Sequence, residues 1–220
     1  MNASPGKADR HSPRRPLVLA SASPRRSELL AQIGIPFTVM PAGIDESAAT
    51  YPSGHRRADP VTLACDLALL KAQTVAARMG EAPQPWVLGA DTVVVCEGLI
   101  LEKPADRNDA ARMLSLMSGR SHTVVTGCVF VRPQGEEIVH HCATSVTFRE
   151  MAGDEIAWYL DTGEWEGVAG AYRIQGACAR FVERIAGSYS NVVGLPLHLV
   201  YSILRKHNWF VPDQDIPSDS

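Results

Sequence analysis

The chain has 220 residues, 45% of them hydrophobic and 20% charged, which is enough apolar material for one substantial core or two small lobes sharing a cleft. A formal net charge of -3 gives no overall attraction to nucleic acid or to an anionic membrane, so any anion site must come from a local cluster. The five cysteines show neither C-x-x-C pairs nor zinc-site spacing and read as reduced, mostly buried residues of a cytoplasmic protein.

Residues 1–16 lack the apolar run of a secretory signal, and no stretch reaches transmembrane length. Residues 1–15 and 210–220 read as flexible tails around a single domain at 16–209. Residues 17–21, LVLAS, read as a short apolar strand. Ser23 and Pro24 then open a helix as N-cap and first helical residue, with Leu29, Leu30 and Ile33 as its buried stripe and Gly34 as its stop. Arg25 and Arg26 fall in the first turn, where free N–H groups and the helix dipole already concentrate positive charge. Two guanidinium forks converging with those N–H groups fit a phosphate, although the stretch lacks the Walker pattern of a P-loop.

Residues 37–40 predict a second strand running into a loop that carries Asp45 and Glu46. Residues 59–79 predict a long helix capped by Asp59, with Leu63, Leu67, Leu70 and Thr74 on one face and Lys71 near the edge of that stripe. WVLGADTVVVCEGLILEKP reads as a hairpin turning at Glu97-Gly98. Asp106 caps a helix whose apolar positions are Ala110, Met113, Leu114 and Met117, ended by Gly119. Strands at 123–132 and 138–148 follow, joined by the turn signal PQGEE. A helix around 154–160, a Gly-rich segment at 163–196 and a helix at 197–207 complete the chain. Hairpins mixed with helices, without regular strand–helix alternation, predict an α/β fold with a mixed, twisted sheet.

Asp91 is the most informative carboxylate, because it interrupts the apolar run VLGADTVVV. It reads either as a structural Asp capping a neighbour or as a functional group, and the small Gly89 and Ala90 beside it favour ligand approach. His140 and His141 point to opposite faces of a strand and cannot chelate one ion together. Ser188 and Ser190 lack the G-x-S-x-G elbow of a serine hydrolase.

LASASPRR near the start, GIDE at 43–46, LALLKA at 67–72, GADTVV at 89–94, LEKP at 101–104 and GAYRIQG with GSYSNVVGLPL between 170 and 197 together resemble the Maf family of nucleoside triphosphate pyrophosphatases. The matches keep the family's order and cover roughly residues 16–206. The resemblance implies a mixed sheet with helices and two lobes around a deep cleft, a fold shared with inosine triphosphate pyrophosphatases. It implies hydrolysis of a nucleoside triphosphate to the monophosphate and pyrophosphate with a divalent cation, Mg²⁺ or Mn²⁺. AGAYRIQG is similar to the branch acting on dTTP and UTP, and related or modified pyrimidine triphosphates extend that set. The same chemistry on 7-methyl-GTP or other modified nucleotides is one rival, and a nucleotide-binding regulator of cell division and septum formation is another.

By matching motif positions, Asp91 takes the proton-acceptor role, and Arg25, Thr92 and Gln175 take the positions linked to base selection. Ser21, Arg26, Lys71 and Lys103 would grip the phosphates, and Glu46 would join Asp91 near the metal. A homodimer is implied by the resemblance alone. The chain departs from the family pattern at Val168, where a lysine is common, and at Arg173, where a glycine is frequent. This swap motivates a role for Arg173 in binding the triphosphate or the base.

Overall fold

The computed structural model describes residues 16–45, 59–80 and 85–210. The elements in chain order are β1 (Leu17–Leu19), α1 (Pro24–Gln32), β2 (Thr38–Val39), α2 (Pro60–Ala76), β3 (Trp86–Cys96), β4 (Leu99–Leu101) and α3 (Arg107–Met117). There follow β5 (Ser121–Val131), β6 (Glu137–Phe148), α4 (Gly153–Asp161), β7 (Val182–Ala186), α5 (Tyr189–Val193) and α6 (Leu197–Lys206). Two 3₁₀ turns, Ala169–Ala171 and Ala177–Phe181, lie between α4 and β7. The Gly-rich segment, for which the sequence predicts no regular element, thus contains β7 and α5. Both are five residues long, too short for a periodic pattern to stand out.

The strands form one mixed sheet in the order β2-β1-β3-β5-β6-β7, with β4 also against β3. β1 is parallel to β2 and β3, and every other pairing is antiparallel. The β3–β4 hairpin turns where the sequence predicts, through Glu97 and Gly98, both at positive φ (50° and 74°), as a two-residue turn between twisted strands requires.

One feature of this pairing positions the site. On one edge of β3, β1 covers only Trp86–Leu88 and β4 covers only Val94–Cys96, so residues 89–93 have no strand neighbour there among the described residues. On the opposite edge β3 pairs continuously with β5.

The sheet is packed on both faces. Leu88, Ala90 and Cys128 belong to an apolar cluster with α1 and α6, while Val94, Cys96 and Val124 belong to another with α3, α4 and the 3₁₀ turns. On the other face α2 lies against Val87, Val93, Val125 and Val129. The buried face of α2 is Leu63, Ala64, Leu67, Ala68, Lys71, Ala72 and Val75, whereas Leu70 and Thr74 of the expected stripe are half-buried. Small residues explain the difference. A Cβ built on Gly89 would lie 2.1 Å from the Ala68 carbonyl oxygen, and one on Gly127 would lie 2.3 Å from that of Ala64. The α2 backbone therefore rests almost on the sheet, and only alanine fits between them. Gly89 serves this helix contact and not the ligand approach expected of it.

Candidate active site

The open edge of β3 borders a cavity of about 470 Å³ that draws side chains from both faces of the sheet. Successive strand residues point to opposite faces, so Asp91 faces α2 while Thr92 faces the α1 side. A covered edge would separate these two groups by the sheet itself. The gap between β1 and β4 lets one cavity reach both.

On the α2 side, Lys71 Nζ donates to Asp91 Oδ1 at 2.6 Å. Both residues are more than nine-tenths buried, at 9% and 8% exposure. A carboxylate at this depth is tolerated because the ammonium offsets its charge, and the close seating of α2 on Gly89 brings the two into contact. Lys71 lies on the buried face and not at its edge, which corrects the position expected from the leucine stripe.

On the α1 side, the Arg26 guanidinium is spread over three acceptors. Its Nε donates to the Gly194 carbonyl at 2.8 Å, Nη1 to Ser21 Oγ at 3.1 Å and Nη2 to Thr92 Oγ1 at 3.1 Å. Thr92 Oγ1 is 2.9 Å from Thr126 Oγ1, and Thr126 Oγ1 donates to the Asn191 carbonyl at 3.2 Å. With the Thr126 proton committed to Asn191, Thr92 donates to Thr126 and accepts from Arg26, which leaves Thr92 one lone pair for a further partner. Asn191, fully buried, donates Nδ2 to the Val124 carbonyl and to Thr144 Oγ1, both at 3.0 Å, and thereby anchors α5 to the sheet.

Arg25 lines the same cavity, and among the described residues it makes no hydrogen bond. Burial first, then repulsion from Arg173 and Arg26, lowers its pKa from the ordinary arginine value, with Glu28 acting in the opposite sense. The segment 167–175 also lines the cavity, through 167–169 and 172–175. That segment is turned back by two left-handed residues in succession, Gly170 (φ 69°) and Ala171 (φ 60°), and is tied to β4's neighbourhood by the Gly170 N–H donating to the Glu102 carbonyl at 3.2 Å. A Cβ on Gly170 would lie 2.9 Å from Val94, so this close approach needs glycine. Gln175, Arg173 and the buried Val168 all line the cavity from here, and the exposed Lys103 joins them from the end of the β3–β4 hairpin.

The structure therefore brings Ser21, Arg25, Arg26, Lys71, Asp91, Thr92, Lys103 and Gln175 around one cavity. Glu46 lies outside the described residues. Among the described residues, no group of three or more His, Cys, Asp or Glu could hold a metal, and Asp91 is the one carboxylate lining the cavity. One carboxylate together with substrate phosphate oxygens is the donor set that Mg²⁺ commonly takes, so these residues fit a divalent ion that arrives with a polyphosphate.

Comparison with known proteins identifies the lineage. A family model described as Maf-like protein matches residues 16–207. The chain belongs to the Maf family. Maf relatives named dTTP/UTP pyrophosphatase include that of Moorella thermoacetica, 52% identical over 86% of this chain and 93% of the relative. Those of Symbiobacterium thermophilum (48%, covering 88% and 94%) and Thermococcus gammatolerans (44%, covering 85% and 94%) carry the same name. Among solved structures, a HAM1 protein from Coxiella burnetii aligns at 15% identity and a TM-score of 0.49, over 87% of this chain and 99% of that one.

Thr126, Asn191 and Gly194, which the sequence does not mark as site residues, set the position of Arg26. Asn191 and Gly194 sit within the Maf motif GSYSNVVGLPL, and that motif is the available signal. For Thr126 the sequence holds none, because its partner Thr92 is 34 residues away.

Proposed function

We propose that this protein hydrolyses dTTP and UTP to the nucleoside monophosphate and pyrophosphate, with residues 16–209 acting as one catalytic unit. The observation that carries the reading is the convergence, across the open edge of β3, of a buried Lys71–Asp91 pair with an arginine cluster in one cavity. The Maf relatives named for this activity, 42–52% identical over most of the chain, supply the substrate class.

Asp91 takes the proton from the attacking water, while Lys71 fixes its other oxygen and keeps the carboxylate from swinging. Arg26, held by Gly194, Ser21 and Thr92, presents a preset fork to phosphate, so little reorganisation is needed as charge shifts onto the departing pyrophosphate. Lys71 and Lys103 add positive charge to the cavity, and Glu46, which lies outside the described residues, is the further ligand that the resemblance implies and would hold the metal together with Asp91. Mg²⁺ or Mn²⁺, bound by Asp91 and the substrate phosphates, would supply neutralisation of the pyrophosphate charge. Gln175 and the remaining lone pair of Thr92 offer donors and an acceptor to the O2, N3–H and O4 edge of a pyrimidine, to which the resemblance adds one edge of the Arg25 fork, leaving its other N–H groups for phosphate.

The deciding experiment incubates purified protein and Mg²⁺ with a panel of pyrimidine, purine and 7-methyl-GTP triphosphates and separates pyrophosphate from orthophosphate. Pyrophosphate release that is fastest with dTTP and UTP supports the reading. Orthophosphate release, or preference for 7-methyl-GTP, overturns it. Five unpaired cysteines support a reducing compartment such as the cytoplasm. No helix among the described residues is long and apolar enough to cross a membrane. Sedimentation of the purified protein checks the homodimer that the resemblance implies.

A further inference from the structure

Arg173 stands apart from the other arginines of the cavity. Its backbone is pinned, with the N–H donating to Tyr159 Oη at 3.2 Å directly after the left-handed pair Gly170-Ala171. Its head group is poorly satisfied: Nη2 reaches the Glu166 carbonyl at 3.3 Å, and Nε is buried with no acceptor. A guanidinium has five N–H donors, and a buried one without an acceptor carries its full desolvation cost. Arg25, lining the same cavity, makes no hydrogen bond among the described residues and is destabilised as a cation by burial first and then by Arg173. Two under-satisfied cations that face one cavity and repel each other are stabilised by an anion between them, whereas the neutral carbonyls of a base edge would leave the repulsion in place. The arginine fork also matches phosphate in a two-point contact.

We propose that Arg173 is a further phosphate-binding residue, which with Arg25 clamps the polyphosphate tail of the substrate from the 167–175 side of the cavity. This rests on the pyrophosphatase reading and deepens it by assigning Arg173 to the tail and not to the base. Because the contact depends on charge and not on the nucleobase, it contributes equally to every nucleotide that the enzyme accepts.

The test compares wild type with Arg173→Gln and Arg173→Lys by steady-state kinetics and by calorimetric titration with inorganic tripolyphosphate, which needs no turnover. The Gln variant should raise KM for dTTP and UTP by a common factor of about ten, with kcat changed far less, as loss of one charge-assisted bond made throughout the reaction demands. Tripolyphosphate should bind that variant about tenfold more weakly, and the Lys variant should recover part of the loss. A thermal transition no lower than that of wild type in the absence of ligand shows that Arg173 is not needed for folding. An unchanged tripolyphosphate Kd in Arg173→Gln overturns the proposal, as does a KM change confined to one base. Failure of the wild type to release pyrophosphate would sink the pyrophosphatase reading separately.

Discussion

Lys71 and Asp91 bury opposite charges 2.6 Å apart, so each is costly without the other. Lys71→Met should lower stability by about 3–5 kcal/mol because it strands a buried carboxylate, while the double change Lys71→Met with Asp91→Leu should return close to wild type. Denaturant midpoints of the four proteins in that cycle measure the coupling. Asp91→Asn preserves shape and one acceptor oxygen for Lys71 but leaves the buried ammonium without its counter-charge, so it should keep the fold at some cost in stability and lose at least about 10²-fold in kcat, the ordinary contribution of a positioned base. An Asn variant that turns over at the wild-type rate would remove Asp91 from the chemistry. Both residues were legible in the sequence as candidates. Their contact was not, because nothing local to LALLKA or GADTVV states how closely α2 sits on β3.

At the scale of elements, the seat of α2 is set by two glycines. Gly127→Ala places a methyl group 2.3 Å from the Ala64 carbonyl oxygen, so it should cost about 1–3 kcal/mol or more and should also depress kcat by shifting Lys71 away from Asp91. Gly153→Ala, with open space around the new methyl in the first turn of α4, is the matched control and should change neither. Unfolding and kinetics of the two variants decide this. A second element-level contact responds to pH. His122 on β5 is buried against Phe148 and Tyr172, with Nε2 2.8 Å from Tyr172 Oη, and burial pushes its pKa from 6.5 down to about 4. The unfolded chain therefore binds a proton that the native state refuses. Stability from this group is complete above pH 6.5 and is lost as pH falls toward 4, by up to about 3 kcal/mol. A His122→Gln variant should show a flatter dependence of Tm on pH over that window, and parallel curves for the two proteins would contradict it.

For the whole molecule, the sign of the cavity opposes the sign of the chain. Arg25, Arg26, Lys71, Lys103 and Arg173 gather in one cavity of a protein whose formal charge is -3. Attraction of a polyphosphate is therefore local and open to screening. Raising salt from about 0.05 to 0.5 M should raise KM several-fold and leave Tm comparatively little changed, which parallel kinetic and thermal measurements would show.

Local pattern alone determined the long helices with their caps and the β3–β4 hairpin, because periodicity, capping and turn signals are properties of neighbouring residues, while Thr92, Lys103 and Gln175 come to the site through the resemblance to the Maf family. Local pattern missed β7 and α5, which owe their form to partners in β6 and β5 rather than to their own five residues. Tertiary structure alone decided that β1 and β4 stop short of each other along β3, so that Asp91 and Thr92, on opposite faces, open onto the same cavity. It also decided that Gly89 makes room for a helix and that Arg26 hangs from a carbonyl 168 positions away. Those outcomes depend on the register and distance between segments far apart in the chain, and no window of sequence contains both sides of such a contact.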